Sequence, residues 1–412
     1  MPDVVLVAGR DPRSEIGGGH SSYVRAHGRA ALAAGFTPHL VCVGPGASSE
    51  ETGYGIVHRV ASWAFPYRQL AIAGHVRPLA REVERVAART GARVIHGFGV
   101  WSCAAALARN RLRVRGVAAR ALASSYTTLA DETRSKVDGL GPSAPLLRRI
   151  LYRAEAAWIR AAIVPWERRA YAGADLVLVN YSSVERLVRG AYGPSVAIRR
   201  VPYAAESSFL GPGTARAETD ALLEPLAPAD APLLVTVARH DPRKGGDVLL
   251  EALALLAARG VPFRACLAGP GPLLEAHRRR AERLGLGGST RVAGFVVDAY
   301  DLAGRADVFV LASLHEQSGS LALLEAMQAG KAIVASACDG IPEDLTHGAD
   351  GVLVPPGDPG ALAAALAELL ADPARRSRLG AAARATFEAR FSPAAFSRAL
   401  GAVYAEFGAR AG

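Results

Sequence analysis

The sequence predicts an α/β protein built from two doubly wound, Rossmann-like domains facing across a cleft. Three observations carry that expectation: the length of 412 residues, short apolar strands alternating with helical patterns, and a restart of the alternation past the midpoint. At roughly 150 residues per domain, the chain has room for two or three domains. Short apolar strands separated by helices form parallel sheets covered on both faces. Ligands in such folds bind at the carboxyl ends of the strands, so a two-domain version is expected to hold its site in the cleft.

In the first half, Val4–Ala8 reads as a strand, followed by a Gly-rich loop and a helix over about Ser21–Ala34 that Gly35 closes. His39–Gly44 is the next strand, Leu79–Ala88 a helix entered through Pro78, and Arg93–His96 another strand. Leu176–Asn180 and Ala197–Pro202 complete this half. The stretch Ser207–Pro232, rich in Gly, Pro and Ala, reads as a linker with one helical turn near Leu222. Strands Leu233–Ala238, Arg264–Ala268, Arg291–Phe295, Val308–Ala312, Ala332–Ser336 and Gly351–Val354 then alternate with helices Asp247–Ala258, Leu273–Leu284, Leu321–Ala329 and Gly360–Leu370. The expected division is 1–206, a linker at 207–231, and a second domain at 232–385.

Composition narrows the function classes. Half of the residues are hydrophobic and 21% are charged, which excludes wholesale disorder. Cys42, Cys103, Cys266 and Cys338 lie far apart with no C-x-x-C pair, so neither a disulfide framework nor a cysteine zinc cluster is expected. No apolar run reaches the ~18 residues of a membrane span, and the first ten residues lack a basic lead. A cytoplasmic protein, peripheral at an inner membrane face if membrane-associated, is the expectation. The net charge of +10 suits anionic ligands or an anionic membrane, whereas no basic block interleaved with aromatics supports nucleic acid. Only Lys136, Lys244 and Lys331 are lysines among 48 basic residues, so each marks a place where arginine was not used.

Pro145–Tyr171 breaks the alternation. It is long, helical and basic, with Leu147, Ile150, Leu151, Trp158 and Ile159 at helical spacing and Pro165 as a break. Two readings stand: an amphipathic helix packed on the first sheet with arginines in solvent, or a surface helix that receives an anionic acceptor or touches lipid headgroups.

The strongest chemical signal lies in the second half. Arg239 ends a strand, and Lys244-Gly245-Gly246 opens a helix five residues on. Both cations can address one anion, with the N–H donors of the helix start behind them. Further on, Ser313–Gly330 runs from a strand through a polar loop with Glu316 and Gly319 into a helix carrying Glu325, a carboxylate able to accept two ribose hydroxyls. Gly269-Pro-Gly271, Val292-Ala-Gly294-Phe295, Gly340-Ile-Pro-Glu343 and Gly351–Asp358 complete the series.

In this order and spacing, Leu233–Asp372 resembles the nucleotide-binding half of a GT-B glycosyltransferase of the retaining family 4 group (glycosyl transferases group 1). Gly17-Gly18-Gly19-His20 resembles that family's glycine-rich loop, and residues 386–412 its last helix, which crosses back to an acceptor-binding first domain. The resemblance implies transfer of a sugar from a nucleoside-diphosphate donor to a hydroxyl acceptor (glycolipid, polysaccharide or secondary metabolite), with no cofactor or metal. It gives Arg239 and Lys244 the diphosphate, Glu325 the ribose, Glu316 with the backbone of Gly319, Ser320 and Leu321 the donor sugar, Phe295 the base edge, and Gly17–Gly19 a close backbone approach to the diphosphate.

The pattern departs from the family in three places. Eight residues separate Glu316 from Glu325 where the family has seven, so either the loop carries one more residue or Gln317 takes the first acidic position. The strand that commonly ends in histidine reads Ala121-Leu-Ala-Ser124-Ser125-Tyr126, leaving Ser125 or Tyr126 in that place. Val201-Pro202-Tyr203-Ala204 replaces a Pro-Asn-Gly turn. His20 and His96 are the remaining candidates for acceptor or sugar contact. A nucleotide-sugar epimerase and a catalytically silent sugar-nucleotide sensor or scaffold are the alternative readings.

Overall fold

A computed structural model describes residues 1–13, 18–61, 72–138, 146–210, 216–316 and 319–409. The chain divides into two compact units: Met1–Val137 with Pro145–Phe209 and Ser392–Gly412, and Asp138–Ala144 with Leu210–Phe391. Each unit is built on its own largely parallel, Rossmann-like sheet.

The first unit holds an eight-stranded sheet. In chain order its strands are β1 (Asp3–Val7), β2 (Thr37–Gly44), β3 (Ser48–Thr52), β4 (Gly55–Ala61), β5 (Val94–Phe98), β6 (Arg120–Ser125), β7 (Leu176–Val179) and β8 (Ile198–Arg200). Their spatial order is β3-β4-β2-β1-β5-β6-β7-β8, parallel except for the antiparallel β3–β4 pair. β1 and β5 are buried almost throughout, as expected of strands covered on both faces. Helix Pro393–Ala409 packs on helix Gly18–Ala33, and Tyr404 from it reaches His96 in the core.

The second unit's strands are β9 (Leu233–Val237), β10 (Arg264–Ala268), β11 (Thr290–Val292), β12 (Val308–Leu311), β13 (Ala332–Ser336) and β14 (Val352–Val354). They lie in the order β11-β10-β9-β12-β13-β14. Counted within the unit this is 3-2-1-4-5-6, the dinucleotide-fold order, whose direction reverses between β9 and β12. Leu250, Leu253 and Leu256 of helix Gly246–Ala258 pack with Leu362, Leu366 and Leu369 of helix Pro359–Ala371 in one core.

Several local readings change. Pro78 does not open a helix but sits within Ile72–Thr90, which runs on through it although the proline supplies no N–H to the carbonyl of Gly74 four residues upstream. The break near Pro165 precedes it: a π-helical turn, Ile159–Ile163, ends where Val164–Ala172 begins with Pro165 in its first turn, the position that needs no N–H. The stretch at 207–232 contains helix Arg216–Leu223, longer than one turn. Helix Leu146–Trp158 is not packed by its apolar side: Leu146, Leu147, Ile150, Leu151 and Trp158 are all exposed.

Candidate functional site

In the second unit the chain leaves β9 through Ala238 and an exposed Arg239. Asp241 then caps the 3-10 turn Pro242–Lys244, its Oδ1 accepting from the Arg243 N–H at 3.0 Å. Gly245 follows with φ +63°, and a Cβ there would lie 1.9 Å from the Ala312 carbonyl oxygen. Only glycine therefore allows this turn to lie against the end of β12. The two loops are sewn together by the Arg243 carbonyl, which accepts from the N–H groups of Leu314 at 2.7 Å and His315 at 3.1 Å.

That packing brings Lys244 to Glu316. Lys244 Nζ stands 2.6 Å from Glu316 Oε2, and the Glu316 side chain is 2% exposed. The Ser313 hydroxyl donates to Glu316 Oε1, and the Glu316 N–H donates to Asp339 Oδ2 at 2.7 Å. The carboxylate is thus held from the ends of β9, β12 and β13 at the reversal of strand order. Asp339 has φ +48°, the left-handed conformation that Asp tolerates better than most residues. Sequence reasoning passed over Asp339; its signal was an Asp-Gly pair directly after an apolar strand.

The other predicted donor residues lie on other loops and helices of the same unit. Gly319 has φ +84°, and the Ser320 hydroxyl accepts from the Leu323 N–H at 3.4 Å, starting helix Leu321–Gln328. Glu325 is half-buried on that helix and acts electrostatically on Tyr300, whose hydroxyl is pushed up chiefly by burial. Phe295 lies beyond β11 and is 73% exposed, an apolar ring presented to solvent. Among the described residues Arg239 forms no ion pair and is not joined to the Lys244–Glu316 pair. Gln317 lies outside the described residues, so the choice between it and Glu316 rests on Glu316's contacts alone.

Two histidines brace the loops from behind. His240 Nδ1 is 2.8 Å from His277 Nδ1, and His240 Nε2 is 3.1 Å from the Ala293 carbonyl. Burial lowers the His240 pKa, so the ring is a neutral spacer between the ends of β9 and β11.

The first unit has its own pocket, of about 270 Å³, where its strand order reverses between β1 and β5. Arg10 follows β1, Phe98 ends β5 with Trp101 just beyond it, Tyr126 follows β6, and His20 and Glu167 are among the other lining residues. Gly17 lies outside the described residues, while Gly18 and Gly19 form the first turn of helix Gly18–Ala33 instead of a loop before it. Exposed His20 meets Phe98 edge-on at 6.4 Å. Tyr126 stacks on Tyr23 at 3.9 Å, and its hydroxyl reaches His27.

His96 and Ser125 are placed in the core, away from this surface. His96 is wholly buried, with one ring nitrogen 2.8 Å from the Tyr404 hydroxyl and the other 2.8 Å from Ser124 Oγ. Ser125 Oγ donates to the Thr127 carbonyl at 3.1 Å and accepts from the Tyr171 hydroxyl at 2.9 Å. A strand-end position in the sequence does not say which face a side chain takes, and here both point inward.

Glu167, which sequence reasoning did not single out, is 1% exposed at the pocket floor. Its carboxyl accepts from the Leu129 N–H at 3.1 Å and from the Tyr192 hydroxyl. Burial nevertheless pushes it from 4.5 up to about 7. The folded state thus binds this proton more tightly than the unfolded chain. The resulting stabilisation is complete at acid pH and is lost as pH rises from ~4.5 to ~7, about 3 kcal/mol in all. Urea midpoints for wild type should fall over that window relative to Glu167→Gln, which lacks the titration. Parallel profiles for the two proteins would refute this assignment.

Residues 222–386 match the family described as Glycosyl transferases group 1. A GDP-mannose-dependent alpha-(1-6)-phosphatidylinositol monomannoside mannosyltransferase of Mycolicibacterium smegmatis is 32% identical over 53% of this chain and 58% of its own. The lipopolysaccharide core biosynthesis glycosyltransferase LpsD of Rhizobium meliloti is 36% identical over 42% of this chain and 49% of its own. The chain thus spans about half the length of these curated relatives. Sucrose-phosphate synthase from Thermosynechococcus elongatus superposes with a TM-score of 0.75 at 24% identity, covering 100% of both chains. Anabaena HepE in complex with UDP superposes with a TM-score of 0.68 at 17% identity, covering 98% of this chain and 100% of its own. Residues 222–386, the part of the chain that matches the glycosyl transferases group 1 model, lie wholly within the second unit, and the chain shares its fold with the solved glycosyltransferase structures.

Proposed function

We propose that the protein is a retaining, family 4-type glycosyltransferase that moves a sugar from a nucleoside-diphosphate donor to a hydroxyl acceptor. The observation that carries the proposal is the Lys244–Glu316 pair, pinned where the second sheet reverses, inside the group 1 domain. An ammonium has three donors. Glu316 takes one and fixes where the others can meet an anion. Lys244 with Arg239 neutralises the diphosphate, while Glu316 and the backbone of Gly319–Leu321 bind the donor sugar. Glu325 accepts the ribose hydroxyls and Phe295 flanks the base. Asp339 is a positioning residue that holds the Glu316 loop through its N–H.

In the reaction the anomeric C–O bond to the diphosphate breaks as the acceptor oxygen bonds to the same face of that carbon. The acceptor proton passes to the departing phosphate, and the electron pair of the broken bond leaves as nucleoside diphosphate. Fixed cations and N–H donors stabilise the charge growing on that group, so neither a protein nucleophile nor a divalent ion is required. We assign the acceptor to the first unit's pocket, with His20 and Tyr126 as its polar contacts. The acceptor is a glycolipid, polysaccharide or secondary-metabolite hydroxyl.

A thermal-shift panel of nucleoside diphosphates and their sugars, followed by transfer assays, tests the reading. The matching donor at 100 times its Kd should add about 2.7 kcal/mol of stability. Glu325→Ala should weaken that donor ~10–100-fold, as expected when hydrogen bonds to a charged group are lost. A shift with no transfer to any acceptor would favour a sugar-nucleotide sensor; no shift with any nucleotide would refute the proposal.

A further inference from the structure

Helix Leu146–Trp158 is amphipathic with its sides reversed. At ~100° per residue, Leu146, Leu147, Ile150, Leu151 and Trp158 fall within an arc of about 140° that contains no charged residue. A helix on a soluble protein turns such an arc inward. Here the five side chains are 44–72% exposed, and the buried position is Ala156, on the opposite side with the half-buried Arg149 and Tyr152. Of the twelve exposed large apolar side chains among the described residues, five belong to this helix. Contiguous exposed apolar surface of this kind marks an interaction site.

The charges beside the arc select the partner. Residues 146–163 carry four arginines against one glutamate, in a chain of net charge +10. Arg153 flanks the arc and is exposed, as is Arg160 two turns further on, while Trp158 supplies the ring type that favours a membrane–water boundary. A second copy of this chain would bring one arginine fringe against another, a like-charge contact. Anionic headgroups neutralise the same fringe while acyl chains cover the leucines. No helix among the described residues is long and apolar enough to cross a membrane, so the contact lies in the interface plane.

We infer that helix Leu146–Trp158 docks the first unit on an anionic phospholipid surface, its apolar arc entering the headgroup–acyl boundary and Arg153 and Arg160 meeting lipid phosphates. The inference does not rest on the transfer reaction and can fail independently of it. Flotation of the full chain with phosphatidylcholine vesicles, with and without phosphatidylglycerol, tests it. Wild type should float with the anionic vesicles, and binding should weaken as salt rises. Trp158 emission should shift to shorter wavelength on binding, and the Trp158→Phe variant should lack that component. Leu147→Ser with Leu151→Ser should weaken partitioning at least ~10-fold, and Arg153→Gln about fivefold. These side chains are exposed, so circular dichroism and melting should match wild type and exclude misfolding. Absence of vesicle binding, or binding that the double serine variant leaves unchanged, would overturn the inference. A concentration-dependent dimer abolished by Leu151→Arg, with no vesicle binding, would assign the face to a second copy and overturn it too.

Discussion

Lys244→Ala should lower the transfer rate by ~10²–10³, the usual cost of removing one preorganised charge from a developing anion. The donor-induced thermal shift should largely disappear with it. Lys244→Arg should not restore activity, because a planar guanidinium on a longer stem cannot occupy the place of a compact ammonium 2.6 Å from Glu316. Truncation also leaves the buried Glu316 carboxylate without its cation, a structural cost separate from chemistry. The double variant Lys244→Met with Glu316→Gln removes both charges and distinguishes the two effects. It should fold as wild type does and remain inactive. Transfer by Lys244→Ala within threefold of wild type would refute the electrostatic role assigned here.

A Cβ at position 245 should damage stability as well as activity. Gly245→Ala combines a left-handed backbone at φ +63° with an approach of 1.9 Å to the Ala312 carbonyl oxygen, so the turn must move off the end of β12. The bonds from Leu314 and His315 to the Arg243 carbonyl would then open, and Lys244 would be carried away from Glu316. A loss of ~3 kcal/mol is expected, lowering the second unit's melting transition by roughly 6–12 °C. Gly260→Ala is the control. Gly260 has a similar φ of +69° but nothing within 4 Å of the added carbon, so strain alone should cost ~1 kcal/mol. Equal losses at both positions would mean that backbone strain, and not the contact with β12, sets the cost.

What could be read from the chain in advance followed from how each segment is buried. Ala332–Ser336 and Arg264–Ala268 were located without error because core strands covered on both faces are continuous apolar runs. Strand Ser48–Thr52 was missed: it is a polar, exposed edge strand, so no hydrophobic alternation announces it. Arg291–Phe295 was drawn too long because Phe295 looks like core from its type alone, yet it is exposed beyond a strand ending at Val292. In the candidate site, Lys244 and Glu316 stand out in the sequence through the order and spacing of the motifs around them. Their direct pairing does not, since it depends on a carbonyl contact between loops about 70 residues apart. Glu167 was beyond reach for the same reason. Its partners come from residues 129, 171 and 192, and in a string of letters it is one acid on a basic helix.

Helix Pro393–Ala409, with Tyr404 bonded to His96, has a consequence for biosynthesis. A ribosome releases strands β1–β8 before the helix that completes their core. Until Pro393–Ala409 emerges, helix Gly18–Ala33 lacks the helix that covers it, while the strands of the other unit all fall within 233–354 and can assemble sooner. Chaperone demand should therefore fall on the nascent N-terminal half. A chain interrupted before Ser392 would keep every strand of both units but leave helix Gly18–Ala33 uncovered and open to aggregation.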